Sequence, residues 1–303
     1  MFPTGYGGLE QIVGDLAYSL GKLGHDVYVL GPDGSAGIEN IFRVITPVQG
    51  GFHNPEQEAW NAMKPSAGDF DLIHNHGWSG AVYQYKKERP AAHVLSTLHS
   101  PGHFTRRPPG VERPCYVCAS DSHASFLGAQ TDLTLKVVNH GIDLDKYAYS
   151  DQKSDYLLFL ARVWDEKGPL EFVRLCKKTG MKGILAGPVE WSNRDFGRAV
   201  MEACSDTNGL VCFYGEASNG PEKIELLQKA RCLVCPVKWP FFEIFGMSNI
   251  ESMACGTPVL HTRNGAPADN IIHGKTGAVV NDWLCLEEGL KIALECTPEA
   301  CRH

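Results

Sequence analysis

At 303 residues, with 43% apolar and 21% charged side chains, the chain has the make-up of a folded protein of about two domains, not of a disordered one. A formal net charge of −7 without any Lys/Arg-rich block argues against nucleic acid as the main partner and leaves membrane contact peripheral at most. No stretch reaches the roughly 18 apolar residues of a membrane span, Met1–Gly5 lacks the layout of a signal peptide, and an odd count of eleven cysteines fits free thiols in a cytoplasmic protein.

Leu9, Ile12, Val13, Leu16, Ala17, Leu20 and Leu23 recur at helical spacing and predict a first helix stopped by Gly24. The apolar run Val27–Leu30 follows and ends at Gly31-Pro32. Further strands are expected at Phe70–His74, His93–Leu98, Cys115–Ala119 and Leu135–Asn139, with helices between most of them. After the polar stretch Ser150–Asp155 the rhythm restarts. Strands are expected there at Tyr156–Ala161, Gly183–Ala186, Leu210–Tyr214, Arg231–Pro236, Pro258–His261 and Ala278–Val280, with helices such as Glu222–Ala230 and Leu284–Cys296. Near-continuous apolar strands alternating with helices make parallel sheets covered on both faces. Two such runs predict an α/β protein of two doubly wound, Rossmann-like domains, residues 1–150 and 151–303, with the ligand beyond the carboxyl ends of the strands in a cleft between them.

The most informative stretch is Phe241–Val259. Glu243 follows the strand ending at Pro236, and Glu251 lies eight residues on, in a helix expected to begin near Phe245 and so about two turns in. A helix N-terminus offers free N–H groups and a positive dipole end, so two carboxylates around it can bracket a bound diphosphate sugar. Read alone, the pair fits two surface glutamates equally well. In Leu160–Gly168, Arg162 and Lys167 lie five apart across a strand–helix turn, where both can neutralise a diphosphate leaving group. Arg162 paired with Asp165 or Glu166 in a solvated turn is the simpler account of that segment by itself.

Gly5-Tyr6-Gly7-Gly8, just before the first helix, lets backbone approach a ligand, although it is not a G-x-G-x-x-G fingerprint. His99 ends a strand in Ser96-Thr97-Leu98-His99, where a satisfied structural histidine would look the same. His74 and His76 have H-x-H spacing but no third ligand in view, and read as cleft lining before metal ligands. Cys115/Cys118 and Cys232/Cys235 fall in strand-like runs, where residues three apart point to opposite faces, so neither pair can chelate one ion.

From Gly5 to about Asn281 these motifs resemble, in order and spacing, the retaining glycosyltransferases of family 4, which have the GT-B fold. Residues 241–259 are similar to that family's E-x7-E signature, from the Phe-Glu-x-Phe-Gly opening to the Glu-x-Met-Ala-x-Gly-Thr-Pro-Val close, with Ile244 where many relatives carry Pro or Gly. Leu160–Gly168 resembles the Gly-Arg-x4-Lys-Gly pattern with Ala161 in place of the first Gly. Asn139-His140-Gly141-Ile142-Asp143 resembles an Asn-Gly-x-Asp turn with His140 inserted.

The resemblance implies a donor site of Gly7, Gly8, Arg162, Lys167, Glu243, Phe245, Gly246, Met247 and Glu251. Within it Glu243 meets the donor sugar, Glu251 the ribose, and Arg162 and Lys167 the diphosphate, while His99 lies near the scissile bond. It also implies transfer of a hexose from a nucleotide-diphosphate sugar, UDP- or GDP-linked, to an acceptor hydroxyl with retention, needing neither metal nor other cofactor. The acceptor is expected to be chosen by the 102–114 loop. A GT-B phosphorylase and a non-catalytic sugar-nucleotide-binding remnant are the rival readings; a dehydrogenase lacks its fingerprint. Relatives begin with an apolar strand leading into the glycine-rich loop, and here only Met1-Phe2-Pro3-Thr4 precedes Gly5, so a missing first strand is expected, as is a short C-terminal end after the last long helix.

Overall fold

The computed structural model describes residues 7–31, 37–45, 70–77, 81–91, 93–101, 110, 115–131 and 133–303. The expectation about Met1–Thr4, the Gly5-Tyr6 part of the glycine loop and nearly all of the 102–114 loop fall outside these residues. The chain divides into two compact units with the main boundary at Asn139/His140, and Gly7 and Gly8 group with the second. Residues 140–150 therefore belong with the second unit and not, as the sequence suggested, with the first. The cause is tertiary: Tyr147 is 3% exposed among the second unit's core side chains.

In the first unit, α1 (Gly8–Lys22) presents the predicted apolar stripe and ends one residue before Leu23. Strand β1 (Val27–Leu30) pairs in parallel with β2 (Phe42–Ile45), which the sequence reading missed because four residues interrupted by Arg43 carry too short a pattern. Among the described residues a separate four-stranded parallel sheet follows in the order β3-β4-β5-β6, formed by Leu72–Asn75, His93–Thr97, Cys115–Cys118 and Leu135–Val137. Helices α2 (Ala81–Glu88) and α3 (Asp121–Gly128) alternate with these strands. Ser120 caps α3 by accepting from the His123 amide, 3.0 Å.

The second unit is a six-stranded parallel sheet in the order β12-β11-β10-β7-β8-β9. Its strands are β7 (Tyr156–Leu160), β8 (Lys182–Ala186), β9 (Val211–Gly215), β10 (Cys232–Cys235), β11 (Val259–Thr262) and β12 (Gly277–Val280). The crossover helices are α4 (Pro169–Thr179), α5 (Arg194–Ser205), α6 (Pro221–Lys229), α7 (Met247–Ala254), the single turn α8 (Pro267–Asn270), α9 (Leu286–Leu294) and α10 (Pro298–Arg302). The period of two in an extended chain splits the strand residues between two cores. Leu157, Phe159 and Val234 join α4, α5 and α9 on one face, while Leu158, Leu160 and Leu233 join α6, α7 and α10 on the other. Cys232 and Cys235 fall on opposite faces by the same alternation, as their spacing predicted.

Two predicted boundaries move. The helix expected from Leu284 starts at Leu286, because Asp282 accepts from the Leu284 amide (2.7 Å) and sets a 3-10 turn first. Helix α7 starts at Met247, not near Phe245, because Gly246 caps it in the left-handed region at φ 82°. Glu251 is consequently little more than one turn into α7, not two.

Candidate active site at the sheet switch point

In the second unit the strand order reverses between β7 and β10, and a doubly wound sheet opens its ligand crevice beyond the carboxyl ends of such a pair. The loop after β7 carries Arg162 and Lys167; the loop after β10 carries Glu243. Two glycines hold these loops in place. Gly168 (φ 74°) lies so close to the Pro236 carbonyl that a Cβ would sit 2.1 Å from its oxygen. Gly265 (φ 99°) lets the chain after β11 run beside Glu243, whose amide donates to Asn264 O (2.9 Å) and whose carbonyl accepts from the Ala266 amide (2.7 Å). A Cβ on Gly265 would meet Glu243 O at 2.1 Å. Sequence reading passed over Gly265, although Asn264-Gly265 is a turn signal.

The local sequence thus brings the expected side chains together. Lys167 Nζ lies 2.6 Å from Glu243 Oε2, with both side chains largely buried, and 4.0 Å from the centroid of the Phe241 ring. Burial by itself would raise the Glu243 pKa, but the Lys167 charge and hydrogen bond, helped by His261 and Arg162, hold it below the ordinary carboxylate range. Arg162 pairs with neither Asp165 nor Glu166. It reaches Glu190 at 3.3 Å and lies 4.8 Å from the Trp164 ring, while Asp165 takes Lys238 at 2.5 Å. The cations of this loop therefore turn toward the crevice side of the sheet, not into a local surface turn.

Helix α7 points its N-terminus, Met247, into the same region, and its first-turn amides and dipole favour an anion. Phe245 is 3% exposed with its ring edge-on to His140 at 5.3 Å, so its place in the donor set rests on backbone. Glu251 is buried, and its Oε1 accepts from Lys223 Nζ (2.7 Å) and from Tyr147 OH (2.8 Å). Neither partner was found in the sequence, because their separations from Glu251, 28 and 104 residues, carry no periodic signal.

Gly7 precedes α1 and Gly8 opens it, and both group with the second unit. At the carboxyl ends of β3 and β4 three imidazoles gather. His74 Nε2 lies 2.7 Å from Thr97 Oγ1, and His76 Nδ1 lies 2.9 Å from His99 Nε2. The His74 and His76 rings are 4.1 Å apart by centroid, and those of His76 and His99 are 5.2 Å apart. Burial lowers the His74 pKa. Among the described residues no group of three or more His, Cys, Asp or Glu could hold a metal ion. No helix among them is long and apolar enough to cross a membrane.

A family model described as glycosyl transferases group 1 matches residues 145–302, more than half the chain, and one described as Glycosyltransferase Family 4 matches residues 6–146. The chain belongs to the family 4, GT-B glycosyltransferases. It is similar to a D-inositol 3-phosphate glycosyltransferase of Pseudarthrobacter chlorophenolicus, 23% identical across 94% of this chain and 82% of that relative. Among solved structures it is similar to a sucrose-phosphate synthase from Thermosynechococcus elongatus, TM-score 0.75 at 19% identity over 99% of this chain and 88% of the other. It also resembles Anabaena HepE solved in complex with UDP and glucose, TM-score 0.73 at 17% identity over 98% and 90% of the two chains. Such structural likeness establishes the GT-B fold of two α/β units with parallel sheets. This family 4 member is accordingly a glycosyltransferase, a transferase enzyme.

Proposed function

We propose that this glycosyltransferase moves a hexose from a nucleotide-diphosphate sugar to an acceptor hydroxyl with retention of anomeric configuration and without a metal. The observation that carries the reading is the Lys167–Glu243 pair beside Arg162 and the N-terminus of α7, at the carboxyl ends of β7 and β10. Arg162, Lys167 and the α7 amides supply positive charge for the diphosphate as it leaves, which is the role a divalent ion would otherwise take. Glu243, held ionised by Lys167, accepts hydrogen bonds from sugar hydroxyls and sets the sugar's orientation. The glycosidic bond breaks toward the phosphate, the acceptor oxygen attacks from that same face, and the departing phosphate oxygen takes the acceptor's proton. UDP or GDP is the expected leaving group, and the HepE complex with UDP and glucose supports a donor of that kind. All eleven cysteines are free thiols, which supports a cytoplasmic setting.

The test begins with a thermal-shift screen of UDP-, GDP-, ADP- and dTDP-linked sugars, because a ligand of the folded state raises its melting temperature. With the donor found, Glu243→Gln and Lys167→Met should each slow transfer by about 10²–10³. EDTA should leave the rate unchanged, and NMR of the product from an α-linked donor should show an α-glycoside. A β product, a rate restored only by Mn²⁺, or turnover with inorganic phosphate in place of a nucleotide would overturn the corresponding part of the reading.

A further inference from the structure

We propose that Tyr147 and Lys223 are positioning residues that fix Glu251 for the ribose of the nucleotide, and that through them the enzyme distinguishes ribonucleotides from deoxyribonucleotides. The proposal rests on the reading of the second unit as a nucleotide site. Glu251 has a side chain only 2% exposed. A carboxylate so buried is tolerable only when paired, and both its partners bond one oxygen, Oε1. Among the described residues Oε2 takes no hydrogen bond. Lys223 has already neutralised the charge, so what Oε2 still takes is a neutral O–H or N–H donor and not a cation. The vicinal 2′- and 3′-hydroxyls of a ribose are such donors.

The two partners are themselves fixed. Lys223 Nζ also donates to Asn219 Oδ1 (3.1 Å) at the start of α6. Tyr147 is buried, and its carbonyl accepts from Arg302 (2.7 Å), whose same nitrogen donates to Ala254 O (2.6 Å) at the end of α7. The phenol is thus tied to the helix that carries its own acceptor, so Glu251 has one orientation before any ligand arrives. A site built to hydrogen-bond a hydroxyl rejects the analogue that lacks it, because its buried acceptor is then left unpaired.

Isothermal titration of UDP, GDP and ADP, each against its 2′-deoxy and 3′-deoxy forms, tests this. The wild-type enzyme should favour the ribonucleotide by about 10–100-fold for at least one hydroxyl. Glu251→Gln should abolish that preference; Tyr147→Phe and Lys223→Met should reduce it several-fold; Lys223→Arg should keep most of it. The melting temperature of each variant reports folding, and Tyr147→Phe and Lys223→Arg carry the test should Lys223→Met fail to fold. If Glu251→Gln loses the preference while Tyr147→Phe and both Lys223 variants keep it, the positioning roles are refuted and the ribose site stands. Equal losses for ribo and deoxy forms make the two residues merely structural and also refute the proposal. No preference in the wild type, or binding of none of the three nucleotides, removes the underlying site as well.

Discussion

His261 lies on β11 at 1% exposure, with Nδ1 donating to the Thr262 carbonyl at 2.6 Å. Burial pushes its pKa down to about 4, against the opposing pull of Glu243 and of the Thr262 carbonyl. In the unfolded chain it titrates at the ordinary imidazole value of 6.5. Between those values the unfolded state holds a proton that the folded state refuses, so stability is full above about pH 6.5 and falls as pH drops toward 4. The contribution at stake is roughly 3 kcal/mol, at about 1.4 kcal/mol per tenfold change. Urea midpoints measured at pH 7.5, 5.5 and 4.5 should therefore fall more steeply for the wild type than for His261→Asn, which keeps a donor for the carbonyl. Parallel declines would show that His261 is not the source.

At the scale of elements, helices α6 and α7 matter because they carry Lys223 and Glu251. Their carboxyl ends are joined by one side chain from the segment before β7. Lys153 Nζ donates to Gln228 O (2.8 Å) in the last turn of α6, to Cys255 O (3.1 Å) just past α7, and to Thr257 Oγ1 (2.7 Å). A cation at two helix carboxyl ends satisfies carbonyls that the helices leave open and complements both dipoles. Lys153→Met takes the donor from Gln228 O and Thr257 Oγ1 and leaves Cys255 O only the Ser150 amide at 3.3 Å, at a cost of about 2–3 kcal/mol. For a unit of this size that lowers the melting temperature by roughly 5–10 °C, and calorimetry should find it. A fall of less than about 2 °C would show that the two helices are held by packing alone.

For the molecule as a whole, the second unit contains its own three layers, with one core on each face of the six-stranded sheet. It also contains Tyr147, Arg162, Lys167, Lys223, Glu243 and Glu251. A fragment of residues 140–303 should therefore unfold cooperatively, and bind the same nucleotide diphosphate as the whole chain to within about tenfold, or about 1.4 kcal/mol. Circular dichroism melts and titration of the fragment decide the matter: a fragment that aggregates, or that binds a hundredfold more weakly, refutes the independence of the unit.

The sequence by itself determined the α/β class and all six strands of the second unit to within a residue or so. These are local properties: a buried parallel strand writes its own apolar run, and a motif brings its loop geometry with it. Four matters were decided only by tertiary structure. Residues 140–150 went to the second unit because Tyr147 finds its cavity and its acceptor there, more than a hundred residues away in sequence. Helix α7 began at Met247 because Gly246 takes a backbone angle that no periodicity encodes. Arg162 chose Glu190 over its sequence neighbours because the carboxylate after β8 ends beside it. Gly265 and Lys223 came beside Glu243 and Glu251 because the parallel order of strands sets the chain after β11 and the start of α6 against them. That order follows from how the crossovers wind, a property of the whole sheet that no single segment carries.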